Sequence, residues 1–269
     1  MDMMRRVTMV PRMIAAVLLA GVVYGASAAA TLQPVELRVV SYNIKHGRGN
    51  DDVIDLQRTA NVLRALAPDV VGLQEVDDRA TRSGGVDQAA RLGELLGLRH
   101  AYGRFMDFQG GGYGLAILTR HPIVETRSIR LPDGNEPRVA LSLDMRLPDG
   151  SEVAVVNVHF DWVRDDGFRF AQAEALARHL DELKTPYILL GDFNDLPESR
   201  TLALFKARAG EARKPDGARF TFPSPSPARE IDFIFFAPAA AWRAGEVRVV
   251  DERVASDHRP VFATLQRVR

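Results

Sequence analysis

Five short apolar runs, VVSYN, VVGLQE, VAVVNVH, YILLGDFN and IDFIFF, each end in or contain an Asn, Asp, Glu or His close to a terminus of the run. Runs of about four to eight apolar residues bounded by polar or turn residues read as buried strands. A carboxylate at the end of such a strand is costly to bury without a partner. Repeating that cost at one strand after another gains nothing for a core, so the polar ends are predicted to converge on a pocket.

The rest of the chain frames those strands. Asp55 is placed to cap a helix running to Ala67, Asp87 starts a helix to Leu96 that Gly97 stops, and an alanine- and leucine-rich helix covers Phe170 to Leu183. Further strands are predicted at Val35 to Tyr42, Gly114 to Thr119, Val139 to Leu147, Glu246 to Val250 and Val261 to Leu265. Pro148-Asp149-Gly150 turns the chain into Glu152 to Val158, a hairpin. Hairpins and crossovers together predict a mixed sheet with covering helices rather than a strictly parallel fold. Only PSPSP, Pro223 to Pro227, is locally biased, and no linker divides the chain, so residues 31–269 are expected to be one domain.

Residues 1–30 read differently. Arg5, Arg6 and Arg12 precede an apolar stretch from Met13 to Tyr24 and a small-residue segment, Ala26-Ser27-Ala28-Ala29-Ala30. That is the pattern of a signal peptide, with an apolar segment shorter than the roughly 20 residues of a membrane span. The expectation is a periplasmic or secreted protein with no membrane insertion after cleavage, acting as a monomer. Taking three arginines and one aspartate from 35 basic and 35 acidic residues leaves a net charge of −2. A non-specific nucleic-acid binder usually shows a basic footprint instead. With no cysteine, an exported chain has no disulfides and its core must be self-sufficient.

The polar residues have a chemistry in common. Residues two apart on a strand face the same side, which pairs Asn157 with His159 and Asp192 with Asn194. Carboxylate and amide oxygens without thiolates suit Mg²⁺ or Mn²⁺. A histidine moves protons near neutral pH, and an aspartate bonded to it fixes its tautomer. Asp232, inside a strongly apolar strand, reads as a paired acid. Metal ligands, neutral donors and an Asp/His pair are the parts needed to hydrolyse a phosphoester.

SYNI, LQEV, YGLAILTR, NVHF, GDFN, IDFIF and SDHRPVF, in this order from Ser41 to Phe262, resemble the endonuclease/exonuclease/phosphatase superfamily. The resemblance implies an α/β (α+β) four-layered sandwich, two packed mixed sheets flanked by helices. It implies Glu75 as principal Mg²⁺ ligand with Asn43 and Asp257 near the same ion, and His258 as general base or phosphate-contacting imidazole oriented by Asp232. Asp192 would position or activate water, and Asn194 would donate to a phosphate oxygen. His159 would stabilise the phosphate or help protonate the leaving group. Tyr113 would contact phosphate. Apart from the resemblance, Arg138 and the Arg82 to Gln88 loop read either as further substrate contacts or as surface features, and Asn157 as a supporting residue or a backbone hydrogen-bonder. Pancreatic-type deoxyribonucleases place a glutamate two residues after the tyrosine as partner of the first histidine, where this chain has Leu115.

The expected substrate is a small-molecule or lipid-headgroup phosphoester. A secreted non-specific nuclease is the alternative, and a non-catalytic binding module on the same fold the third reading. Trp162, Phe168 and Phe170 are candidates for a small apolar lip. His46, His100, His121 and His179 are expected at the surface or in packing. FQGGGYG is expected as a flexible loop, Asp195 as a turn or helix cap, and Gly191 as a close approach of the backbone to the site.

Overall fold

The computed structural model describes residues 35–268. The predicted signal peptide lies outside the described residues. In chain order come β1 (Glu36–Asn43), α1 (Leu56–Leu66), β2 (Val70–Asp78), α2 (Gln88–Leu96), β3 (Arg99–Phe108), β4 (Gly111–Thr119), β5 (Ile123–Arg130) and β6 (Val139–Arg146). There follow β7 (Glu152–His159), α3 (Gly167–Glu182), β8 (Tyr187–Asp192), α4 (Arg200–Lys206), β9 (Gly210–Glu211), β10 (Asp232–Ala237), β11 (Trp242–Val249) and β12 (Val261–Arg267). Asp55 and Asp87 cap α1 and α2 as predicted, accepting from the backbone N–H of Arg58 and Ala90, and left-handed Gly97 ends α2.

Two mixed six-stranded sheets form, in the orders β11-β12-β1-β2-β4-β3 and β5-β6-β7-β8-β10-β9. Each is built around one parallel pair, β1 with β2 and β7 with β8. In each pair a helix lies between the two strands in the chain, α1 in the first and α3 in the second. Alternation explains the apolar runs. Leu37 and Val39 of β1 and Ile188 and Leu190 of β8 pack between the sheets. Val40 and Tyr42 pack with α1 and α2, while Leu189 packs with α3 and α4. Both faces of the central strands are buried, giving the helix–sheet–sheet–helix layering that the resemblance implies.

Asn157 is a correction. Its side chain is fully buried between the sheets, not in the pocket. Its Nδ2 donates to the carbonyls of Leu73 (2.8 Å) and Ala116 (2.9 Å), and its Oδ1 accepts from Gln74 Nε2 at 2.7 Å. A residue of the second sheet therefore satisfies three polar groups of the first. Gly72 makes room for it, since a Cβ there would collide with Leu190 and press on Asn157. Asn157→Leu strands buried polar groups and is expected to lower stability by about 1–3 kcal/mol, read from urea unfolding. An unchanged midpoint and slope would mean the inter-sheet bonds contribute nothing.

FQGGGYG is likewise not a loose loop. Gln109 and Gly110 form the turn of the β3–β4 hairpin, and Gly111 and Gly112 already pair with Phe108 and Asp107. Gly191, with φ of 149°, lets β8 approach β7: a Cβ there would strike the Val158 carbonyl rather than face the site.

Candidate active site

The C-terminal ends of both parallel pairs open into one pocket. Glu75, Tyr113, Arg138, His159, Asp192, Asn194, Asp257 and His258 line it, so most of the predicted site residues are brought together. Asn43 lies directly behind, donating through Nδ2 to Glu75 Oε1 at 3.0 Å and Asp192 Oδ2 at 3.1 Å. Asp232 sits behind His258, its Oδ2 3.0 Å from Nδ1.

Local backbone irregularities aim two of these side chains. The β2–β4 register shifts between Leu73 and Val76, and Glu75 inside that bulge has φ of 57°. A bulge re-aims a side chain, and a non-glycine residue holds such a φ only where its surroundings require it. Asn194 has φ of 50°. It therefore reaches the pocket through a left-handed turn closed by its own N–H on Asp192 Oδ1 (2.9 Å), and not through strand alternation with Asp192. One N–H of its amide is spent on the Phe160 carbonyl at 3.0 Å.

Asp192 Oδ2 is the point on which the site converges. It receives Asn43 and lies 3.5 Å from Nε2 of both His159 and His258. Burial drives the Asp192 pKa up to about 7, with charged His258 pulling it back and Asp232 adding to the rise. Burial works against charging His258, but Asp232 and Asp192 outweigh it and lift its pKa to about 10. Ligand atoms of Asp192, Asp232 and His258 lie within 4.8 Å of one another, close enough to hold a metal ion. Both ring nitrogens of His258 already face carboxylates, an arrangement that suits a proton relay better than a metal site.

Glu75 and Asp257 supply further carboxylates to the pocket, Glu75 sharing the Asn43 Nδ2 donor with Asp192. Asp257 is paired with Lys45 Nζ at 3.0 Å, and Asn43 Oδ1 accepts from the Lys45 N–H at 3.1 Å. Ser256 ties this loop to β1, its hydroxyl donating to the Asn43 carbonyl at 2.7 Å. Tyr113 stays a phenol, because burial and then the neighbouring Glu75 raise its pKa well above 10.0.

Sequence reasoning missed Glu136, Phe222 and Arg229, which also line the pocket. Phe222 packs on His258 with ring centroids 4.8 Å apart, and Arg229 lies over Phe222. PSPSP is the turn that joins them, since Phe222 bridges to Arg229. That compositional bias was the one signal available. Of the expected lip, Trp162 lines the pocket and is 59% exposed, whereas Phe170 lies under the Arg200 guanidinium. Arg82 does not line the pocket; it pairs with buried Asp77 and lies over Phe108 and Tyr113. Asp195 pairs with Arg169 and bonds the Leu196 N–H, and Ser199 caps α4 instead. His46, His100, His121 and His179 are outside the pocket.

Two facing mixed sheets with acids and imidazoles gathered at their shared end define a phosphoesterase fold. The sequence profile of the Endonuclease/Exonuclease/phosphatase family matches residues 40–258, and the chain belongs to that family, whose members are hydrolases including phosphatases and nucleases. Among curated proteins it is similar to the uncharacterized protein YbhP of Escherichia coli K12, 28% identical over 250 residues, 87% of this chain and 97% of YbhP. Among solved structures it resembles a family protein from Bacteroides thetaiotaomicron, with a TM-score of 0.76 and 22% identity over 88% of this chain and all of that one. The mannosyl-6-phosphatase Bt3783 of the same species has a TM-score of 0.72 and 23% identity, covering 85% of this chain and 99% of that one.

Proposed function

We propose that the protein is an exported, divalent-metal-dependent phosphoester hydrolase acting on a small-molecule or lipid-headgroup phosphoester. The observation that carries this reading is the convergence of Asn43, His159 and His258 on Asp192, with Glu75 and Asp257 lining the same pocket. A net charge of −2 after loss of the leader's three arginines and one aspartate from 35 basic and 35 acidic residues supports a small substrate over nucleic acid. The mannosyl-6-phosphatase neighbour supports the same choice.

The donor set fits a hard cation: Glu75 presents a carboxylate held by an amide, Asp257 a second carboxylate, and the chain has no thiolate. Glu75, Asp257 and the Asn43 amide would hold Mg²⁺, with Mn²⁺ as the substitute. When bound, the ion supplies Lewis-acid charge neutralisation at the phosphoryl group. Asp192, with its raised proton affinity, orients water and accepts its proton, and charged His258 faces the same carboxylate. Tyr113, Asn194 and His159 donate to phosphoryl oxygens, and Asp232 holds His258 in place.

The test is a phosphoester panel run with and without EDTA, with Asp192→Ala as blank. EDTA-sensitive hydrolysis of mono- or bis-p-nitrophenyl phosphate is expected; no turnover of these, of phospholipid or of nucleic acid would sink the reading. Plasmid nicking with a steep salt dependence, lost on His258→Ala, would favour the secreted nuclease instead. Trp162 at the rim offers a flat apolar face to the leaving group. Trp162→Ala is expected to raise KM about two- to tenfold with kcat little changed, for substrates with a bulky leaving group. Equal KM values for bulky and methyl esters in wild type and variant would exclude that contact.

A further inference from the structure

The two histidines that face Asp192 have opposite groups behind them. Nδ1 of His258 faces the Asp232 carboxylate at 3.0 Å. Nδ1 of His159 faces a cation, Nη1 of Arg138, at 3.4 Å. Arg138 is 1% exposed, is held by Glu136 at 3.0 Å and lies over the Phe105 ring. It is a built feature of the pocket wall rather than a surface side chain.

A guanidinium has only donors and does not lose its proton in a protein. The nitrogen facing it must therefore be an acceptor, and an imidazole with an acceptor at Nδ1 carries its proton on Nε2. Nε2 is the nitrogen that lines the pocket side, 3.5 Å from Asp192 Oδ2. We propose that Arg138 is a positioning residue that locks His159 in the Nε2–H tautomer, making it a fixed hydrogen-bond donor at Asp192 and the phosphoryl group and barring it from acting as a base. This inference rests on the phosphoester reading for its last clause only.

Two observations support it. Burial first, then Arg138, then His258 hold the His159 pKa well below 6.5, so a second proton at Nδ1 is disfavoured. A glutamate in the place implied by the resemblance would instead accept from Nδ1–H, but Leu115 there is fully buried in the apolar core between the sheets. The neighbour found behind His159 thus has the opposite charge, and it comes from the loop before β6 rather than from β4. Of the two roles the resemblance leaves open for His159, the Nε2–H tautomer selects phosphate stabilisation. Donating that proton to a leaving group would leave a buried imidazolate.

The decisive measurement is the tautomer itself. In ¹⁵N-histidine-labelled full-length protein near neutral pH, with His159 assigned through His159→Gln, an Nε2–H proton and a bare Nδ1 are expected. An Nδ1–H tautomer, or protons on both nitrogens, overturns the proposal without any variant at Arg138. Arg138→Lys, still only a donor, is expected to retain the Nε2–H signal and most of kcat. Arg138→Gln, whose amide oxygen can accept, is expected to let Nδ1–H appear and to lower kcat toward the roughly 10²-fold loss of a transition-state donor, with KM little changed. A Gln variant that is folded and retains both tautomer and kcat overturns it. If no phosphoester is turned over while the tautomer stands, the functional reading fails and the positioning role does not.

Discussion

Asp192→Ala is expected to lower kcat by about 10²–10⁴-fold, the range for loss of a positioned proton acceptor. Asp192 Oδ2 is the shared target of Asn43 Nδ2 and of Nε2 on both imidazoles, so its loss removes the object that three side chains are arranged around. It is 1% exposed and its pKa, pushed up by burial to about 7, makes it a far better base near neutrality than a solvated aspartate. A carboxylate in that condition is a cost to the fold. The melting temperature of the variant is therefore expected to hold or rise as activity falls, the trade that functional sites commonly show. Circular dichroism melting beside steady-state kinetics checks both halves. A kcat within fivefold of wild type would remove Asp192 from the proton path.

The next residue carries the opposite expectation. Phe193 is completely buried, and its ring meets Phe160 at 5.5 Å, Phe205 at 5.4 Å, and Phe233 and Phe235 each at 5.6 Å. Truncating a buried aromatic of this kind costs about 3–5 kcal/mol through lost burial and the cavity left behind. Phe193→Ala should lose that much in urea unfolding, and kcat as well, because the ring anchors the segment between Asp192 and the left-handed Asn194. A loss under about 1 kcal/mol would mean that the cluster repacks around the gap. Within GDFN, then, alternate residues serve chemistry and stability, and the two effects separate by measurement.

That division could be read from the sequence only in part. The central strands were legible because burial on both faces makes each an apolar run. The strands that were missed are edges: β3 and β5 each close one side of a sheet, and β9 is two residues long. β5, IVETRSIR, leaves every second position or more exposed, so no apolar run marks it. β11, also an edge, was recognised only in its last half, beyond the irregular pairing between Ala244 and Val247. α4, with seven residues, is too short to show a helical period.

The site shows the same pattern. Residues at the ends of central strands were found from their polarity, including Asp192, His159 and Glu75. The reason given for Asn194 was wrong, because strand parity does not survive a left-handed turn. Asn157 obeyed parity and was still misplaced: two residues inward along β7, the same face is the seam between the sheets. Glu136, Trp162, Phe222 and Arg229 come from irregular loops, where neither period nor apolar run points to a site.

The seam that Asn157 crosses has a mechanical consequence. Asn43 and Glu75 belong to the first sheet, while His159, Asp192 and Asp232 belong to the second. Asp257 and His258 come from the loop that enters β12 of the first sheet, so the cation ligands and His258 are carried on one plate and Asp192 with Asp232 on the other, and the apolar layer between them acts as a spacer. Its thickness, set by contacts such as Leu190 against Gly72, fixes the span from the cation ligands to the base. Residues that touch no ligand at all become the gauge to which the chemistry is cut.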